Sequence, residues 1–303
     1  MRRLPALFAV LVVGAALLAS GCGGPAAAIP ELTSLAGVEK QSAAADSAKF
    51  ELSLELKAPE LGQSLAFSAS GGFDTPARRT QMTVDLSAFA KLMQWLGSSL
   101  GGKVTGDLGD PADWKLDAIQ DGDVVYLRFP PMAKELPAGK TWIKGDAKDL
   151  SGPNTGQMGQ FGSLAGTDPR DVLGFLKAIS GTIEAVGSEE LRGVATSHYR
   201  ASLDLTKLAA LVPAAQQNAL GGFEEQAKQA GLSNLPLDVW IDADQRLRKL
   251  SVDIDAKQPG SDKSVQASFV VELYDYGTPL ALDLPPADQV TDAATLPSHT
   301  LGS

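Results

Sequence analysis

The sequence predicts an α+β protein built on a strongly curved antiparallel β-sheet, a half-barrel wrapped around a few helices. Three observations support this. Many segments alternate apolar and polar residues at period two, the signature of strands with one buried and one wet face. These segments follow one another through short turns instead of alternating with helices, which argues against a doubly wound parallel sheet. Only three or four stretches carry helical periodicity, enough to cover an apolar sheet face but not to build a bundle.

The chain of 303 residues opens with MRRLPALFAVLVVGAALLASGC. Arg2 and Arg3 form a positive n-region. Leu4 to Leu18 supply an apolar stretch of signal length, short for a spanning helix. Ala19-Ser20-Gly21 then leads to Cys22, the only cysteine of the chain. This start resembles the lipobox of bacterial lipoproteins, with Ala19 where the usual pattern has leucine. It implies that residues 1–21 are a signal peptide, that Cys22 is acylated, and that the plasma membrane holds the protein on its extracytoplasmic face. Two acyl chains suffice for stable anchoring where one is marginal. Residues 22–30, rich in Gly, Pro and Ala, are the lipidated tether. Residues 31–284 form one domain, and 285–303 are expected as a disordered tail.

The elements follow in order. A helical segment from Glu31 to about Asp46 begins the domain. In AKFELSLELKA, Phe50, Leu52, Leu54 and Leu56 share a face, with Lys49, Glu51, Ser53, Glu55 and Lys57 opposite. Leu65, Phe67, Ala69 and Phe73 share the next face, and Met82, Val84 and Leu86 the one after. SAFAKLMQWLGSSL sets Phe89, Leu92, Met93, Leu96 and Leu100 at helical spacing with Ser87 as N-cap. Residues 114–129 read as a hairpin turning at Asp121-Gly122. Residues 150–168 are a Gly-rich connection, either solvated or a flap over a cavity. DPRDVLGFLKAIS reads as a helix with Val172, Phe175, Leu176 and Ile179 on one stripe. Strands follow with Tyr199, Ala201 and Leu203, and, after a helical region from Thr206 to about Leu232, with Leu235, Leu237, Val239 and Ile241. Leu250, Val252 and Ile254 mark the next strand, and Val265, Ala267, Phe269, Val271 and Leu273 the last.

The chemical inventory excludes several classes. The formal net charge is −10, and the leader carries two arginines and no acid, so the rest is more acidic still. Such a body repels nucleic acid. With Cys22 acylated no thiol remains. Of two histidines, His198 lies in a strand and His299 in the tail, so no zinc set forms and no metal or other cofactor is expected. No nucleophile elbow, Walker loop or dinucleotide fingerprint occurs. Asp242-Ala243-Asp244 reads as a hairpin turn, and Glu189-Glu190 as solvated. Trp95, Trp114, Trp142 and Trp240 read as core. The protein is therefore not expected to be an enzyme.

Several blocks in order resemble LppX/LprG-type lipoproteins of mycobacteria and other actinobacteria. They are the lipobox with its first helix and strand, VVYLRFPPMAKELPAGKTWIKGD (124–146), VGSEELRGVATSHYRASLDL (186–205) and LPLDVWIDADQRLRKLSVDI (235–254). The resemblance covers most of residues 30–280. It implies the curved sheet of the LolA-like lipoprotein carriers and, in some members, an apolar cavity for acylated lipids or glycolipids. By that reading the protein carries a lipid or glycolipid, as a monomer, at the cell envelope. Candidate wall residues are Leu52, Leu54, Phe67, Met82, Phe89, Met93, Leu127, Phe175, Leu176, Val239, Ile241 and Phe269, each of which also reads as ordinary core. The alternative is a non-enzymatic envelope module that signals or scaffolds through a protein or wall polymer, with an exposed apolar patch on a solid domain.

Overall fold

The computed structural model describes residues 31–32, 34–57, 64–99, 109–147, 169–207, 233–257 and 264–296. The signal segment 1–21, Cys22 and the whole tether, the connection 150–168, the helical region beyond 207 and residues 297–303 lie outside the described residues.

The alternating segments form β1 (Ser47–Lys57), β2 (Ser64–Asp74), β3 (Arg79–Asp85), β4 (Lys115–Asp121), β5 (Val124–Arg128) and β6 (Trp142–Asp146). The second half supplies β7 (Ile179–Leu191), β8 (Val194–Asp204), β9 (Asn234–Asp242), β10 (Leu247–Lys257), β11 (Ser264–Tyr274) and β12 (Val290–Asp292). All join one open, curved sheet in the order β12-β6-β5-β4-β3-β2-β1-β11-β10-β9-β8-β7. Neighbours are antiparallel apart from the parallel pair β12–β6. The chain starts in the middle, meanders to one edge, crosses to the other and meanders back to β1. Helices are α1 (Ala36–Ala43) and α2 (Ser87–Ser99).

Register turns the separate alternations into one surface. Leu52 faces Ala69 on β2 and Val271 on β11, and the row runs on through Leu250 and Val239 to Tyr199. The neighbouring row joins Phe67, Leu54, Phe269, Val252, Leu237 and Ala201. A one-residue slip in any strand would send its apolar set outward, so burial of this inner face fixes the register. At Gly71 the strands approach so closely that an added Cβ would overlap the Gln81 carbonyl of β3. The β4–β5 turn occupies Gly122-Asp123, one residue beyond expectation, because Asp121 already pairs with Val124. Gly122 has φ +64°, which a glycine adopts without strain.

One stretch of the inner face is covered by α1 and by the segment Pro169–Ala178. Leu35, Val38, Leu173 and Leu176 pack there against Phe50, Tyr199, Leu237, Val239, Leu250 and Leu273. Pro169–Ala178 is a 3₁₀ helix, not the expected α-helix. Three residues per turn stack Leu173 above Leu176, so Leu173 is buried although the 3.6-residue stripe omits it. A second cluster near the other edge contains Ala118, Val125, Leu127 and Ile143, closed by Ala293 and Leu296. Residues 290–296, expected within a disordered tail, are thus part of the fold. Its β12 pairs with β6, Thr141 donates its amide to the Gln289 carbonyl at 2.9 Å, and Asp292 caps the last turn through the Ala294 amide at 3.0 Å. A three-residue strand is too short to show alternation.

The β9–β10 hairpin is locked where α1 meets it. Asp242 accepts from the Asp244 and Arg246 amides and from Arg248 Nε, at 3.0, 2.8 and 2.6 Å. The Leu247 amide donates to Ser42 of α1 at 2.8 Å, and the Leu247 carbonyl accepts from the Tyr276 hydroxyl at 2.6 Å. Burial holds the Tyr276 phenol well above its ordinary pKa. The Asp242–Arg248 pair is shielded, with side chains 3% and 14% exposed. Breaking such a pair leaves an uncompensated charge, so Asp242→Ala should cost about 3–5 kcal/mol in denaturant unfolding. Asp244→Ala, on an exposed side chain, should stay within about 0.5 kcal/mol. Gly71→Ala should cost about 1–3 kcal/mol by forcing β2 from β3.

Candidate apolar trough on the inner face

The inner face is not buried evenly. Along β1, Ala48 and Phe50 are buried, whereas Leu52, Leu54 and Leu56 are half-buried. Along β11, Leu273 and Val271 are buried, and Phe269, Ala267 and Val265 half-buried. On β10, Leu250 and Val252 are buried but Ile254 is half-buried. The three strands lie side by side, and the change runs diagonally across them, starting at Leu52 on β1, one register row later at Phe269 on β11 and one later again at Ile254 on β10. It marks a trough over the Lys57 end of β1, floored by Leu54, Phe67, Phe269 and Ile254. Alternation keeps the charges of these strands, such as Glu51, Glu55, Lys249 and Asp253, on the opposite face.

On the opposite, outer face of the same strands, a separate open cleft of about 280 Å³ lies behind Ile254 and Ala267. Its rim carries Glu55, Lys57, Asp253, Asp255, Gln266 and Ser268. Lys57 pairs with Glu55 at 3.1 Å, and Gln266 donates to Asp255 at 3.1 Å. The volume lies just under the roughly 300–1,000 Å³ of ordinary small-molecule sites. The polar cleft and the apolar trough thus lie on opposite faces, and the trough offers an apolar floor. Chemically it can shelter hydrocarbon, each buried CH₂ contributing about 0.8 kcal/mol.

The candidate wall residues divide into groups. Leu52, Leu54, Phe67 and Phe269 meet at the trough. Met82 is half-buried against the main cluster. Leu176, Val239 and Ile241 are fully packed in that cluster, and Leu127 in the second. They are core. Phe175 lies on the 3₁₀ segment, its side chain outside the described residues. Leu56, Ile254 and Ala267 were not among the expected wall positions, although their alternation placed them on the same face.

Phe89 and Met93 belong to α2, which packs against β2 in an unexpected orientation. Its small residues Ala88, Ala90 and Gly97 are buried, while Phe89 is 42% exposed. The stripe expected to cover the sheet points partly outward. Trp95 is 44% exposed, against its reading as core, whereas Trp142 and Trp240 are buried. Ser87 is the first helical residue, and Asp85 does the capping by accepting from the Ser87 amide at 2.9 Å. The Ser87 side chain is the main reason that the Asp85 carboxyl lies below its ordinary pKa.

The outer face is occupied by polar chemistry. His198 stacks on Trp240 at 4.2 Å and meets Asp238 at 2.7 Å, and Lys249 lies 4.5 Å over the same indole. Glu189, expected as solvated, accepts from Trp240 Nε1. Arg192, on the β7–β8 turn, reaches Glu51 and Glu272 at 2.7 and 2.8 Å and covers Tyr274 at 3.9 Å.

Because the folded pKa of Asp85 is depressed, its stabilisation is present above the ordinary carboxylate range and lost as pH falls through the folded value. Asp85→Ala should lower stability by about 1 kcal/mol at neutral pH. The melting curves of wild type and variant should converge in acid.

No family model matches the chain. It is 25% identical over 263 residues to an uncharacterised 31.2 kDa protein encoded in the rplA-rplJ intergenic region of Streptomyces griseus, covering 86% of this chain and 78% of that one. Among solved structures it is similar to LprF from Mycobacterium bovis, at 13% identity and TM-score 0.41 over 83% of this chain and 94% of the other. It is also similar, at 14% identity and TM-score 0.41, to the Mycobacterium tuberculosis lipoprotein LppX, over 82% of this chain and 94% of that one.

Proposed function

We propose that the protein is a membrane-anchored lipoprotein that binds and carries a lipid or glycolipid, with an acyl chain lying in the inner-face trough. The observation that supports this is the half-burial of large apolar side chains at one level of adjoining strands. Leu54, Phe67 and Phe269 lie in one register row and each is only half-buried, Phe269 at the margin of the main cluster. Folding leaves this surface unpaid for, and an acyl chain would remove it from water. Acylated Cys22 would keep the domain beside its donor membrane, and no catalytic step is involved.

The test is mass spectrometry of lipid extracted from the protein purified from an actinobacterial host. Stoichiometric acylated lipid is expected in wild type and should be lost in Leu54→Glu and Phe269→Glu. Both sites are half-buried, so these variants should keep the wild-type circular dichroism. Lipid-free wild-type protein, or unchanged lipid in both variants, contradicts the reading. Cys22→Ser should abolish acylation and release the chain from the membrane fraction.

A further inference from the structure

Three of the six large hydrophobic side chains exposed among the described residues lie on α2. They are Phe89, Trp95 and Leu96, at 42%, 44% and 36% exposure. Leu92 and Met93 are half-buried between them. At 100° per residue these positions form one broad arc, with the buried Ala90 and Gly97 beyond its Met93 edge and the small Ala88 within it. An aromatic path extends the arc, from Phe89 to Trp114 at 6.2 Å and from Trp114 to Phe129 at 5.4 Å. The helix contains one charged residue, Lys91, and no acid, within a chain of net charge −10.

We propose that this outer arc of α2 docks on the surface of the lipid bilayer. The inference rests on the reading of Cys22 as the acyl anchor. Eight residues separate Cys22 from Glu31, and the nine chain steps between them span at most about 30 Å, so the domain cannot leave the membrane surface. Of what could cover the arc, a bilayer fits its chemistry best. Trp, Phe and Leu with a lone cation are the composition of interfacial helices. The absence of carboxylates spares α2 the repulsion that the rest of this acidic protein meets at an anionic surface. With Ala90 and Gly97 seated against the body, Phe89, Trp95 and Leu96 stay at the surface. The helix packs on β2, which also carries Phe67 of the trough, so docking would set the lipid site next to its source.

The full acylated chain, reconstituted into phosphatidylcholine vesicles with brominated acyl chains, tests this directly. Bromine quenches tryptophan only within the apolar layer. Flotation with the vesicles and a loss of emission that disappears in Trp95→Phe are expected. Phe89→Ser combined with Leu96→Ser should reduce that quenching while the protein still floats. A chain that floats but whose Trp95 stays bright overturns the docking and leaves the anchor intact. A chain that does not float overturns the anchor and this inference together. Trp95 shielded from aqueous iodide without vesicles, with sedimentation that rises with concentration, assigns the arc to a second copy and also overturns it.

Discussion

The structure depends on the pairing of β1 with β11. Nine consecutive residues of β1, Lys49 to Lys57, face nine of β11, Tyr274 to Gln266. These strands come from opposite ends of the domain, and their ladder merges two meanders into one sheet. Without it each half would have an unpaired edge and half a core. With it the inner rows run unbroken from β3 to β8. Such distant pairing carries a loop-closure cost that local contacts do not, so this seam is expected to form late in folding.

Cover is distributed unevenly over the merged face. At the level of Phe50 and Leu273, α1 and the 3₁₀ segment are pinned by Ser42, Tyr276 and the shielded Asp242–Arg248 pair. Near the other edge, Ala293 and Leu296 of the returning tail close the second cluster. The trough lies at the far end of β1, β10 and β11 and beside Phe67 of β2, beyond the reach of either plug, although Leu65 at the end of β2 is buried. The same apolar alternation therefore yields tightly packed core at one end of a strand and a half-open surface at the other.

This explains what could be read from the sequence. Period two revealed the strands and the face of each residue, and Asp242-Ala243-Asp244 announced its turn. Alternation is blind to depth along a strand, however, so Val239 and Phe269 looked equivalent although only Phe269 reaches the trough. Helical periodicity was equally blind to direction. On α2 it identified the apolar arc, but the helix seats its small residues and turns Phe89 and Leu96 out. The 3₁₀ segment escaped because Leu173 and Leu176 repeat at three, and β12 because three residues show no pattern. Lipid chemistry was suggested by resemblance and by the lipobox, whereas the position of an apolar site required the register.

The central claim is that the inner face at the Lys57 end of β1 shelters an acyl chain. Photo-crosslinking with a diazirine placed midway along an acyl chain, followed by peptide mapping, tests it most directly. The account predicts adducts on the peptides carrying Leu54, Phe67 and Phe269, and none on those confined to the packed rows around Val239 and Leu250. Adducts spread over the outer face, or absent altogether from folded protein, would contradict it.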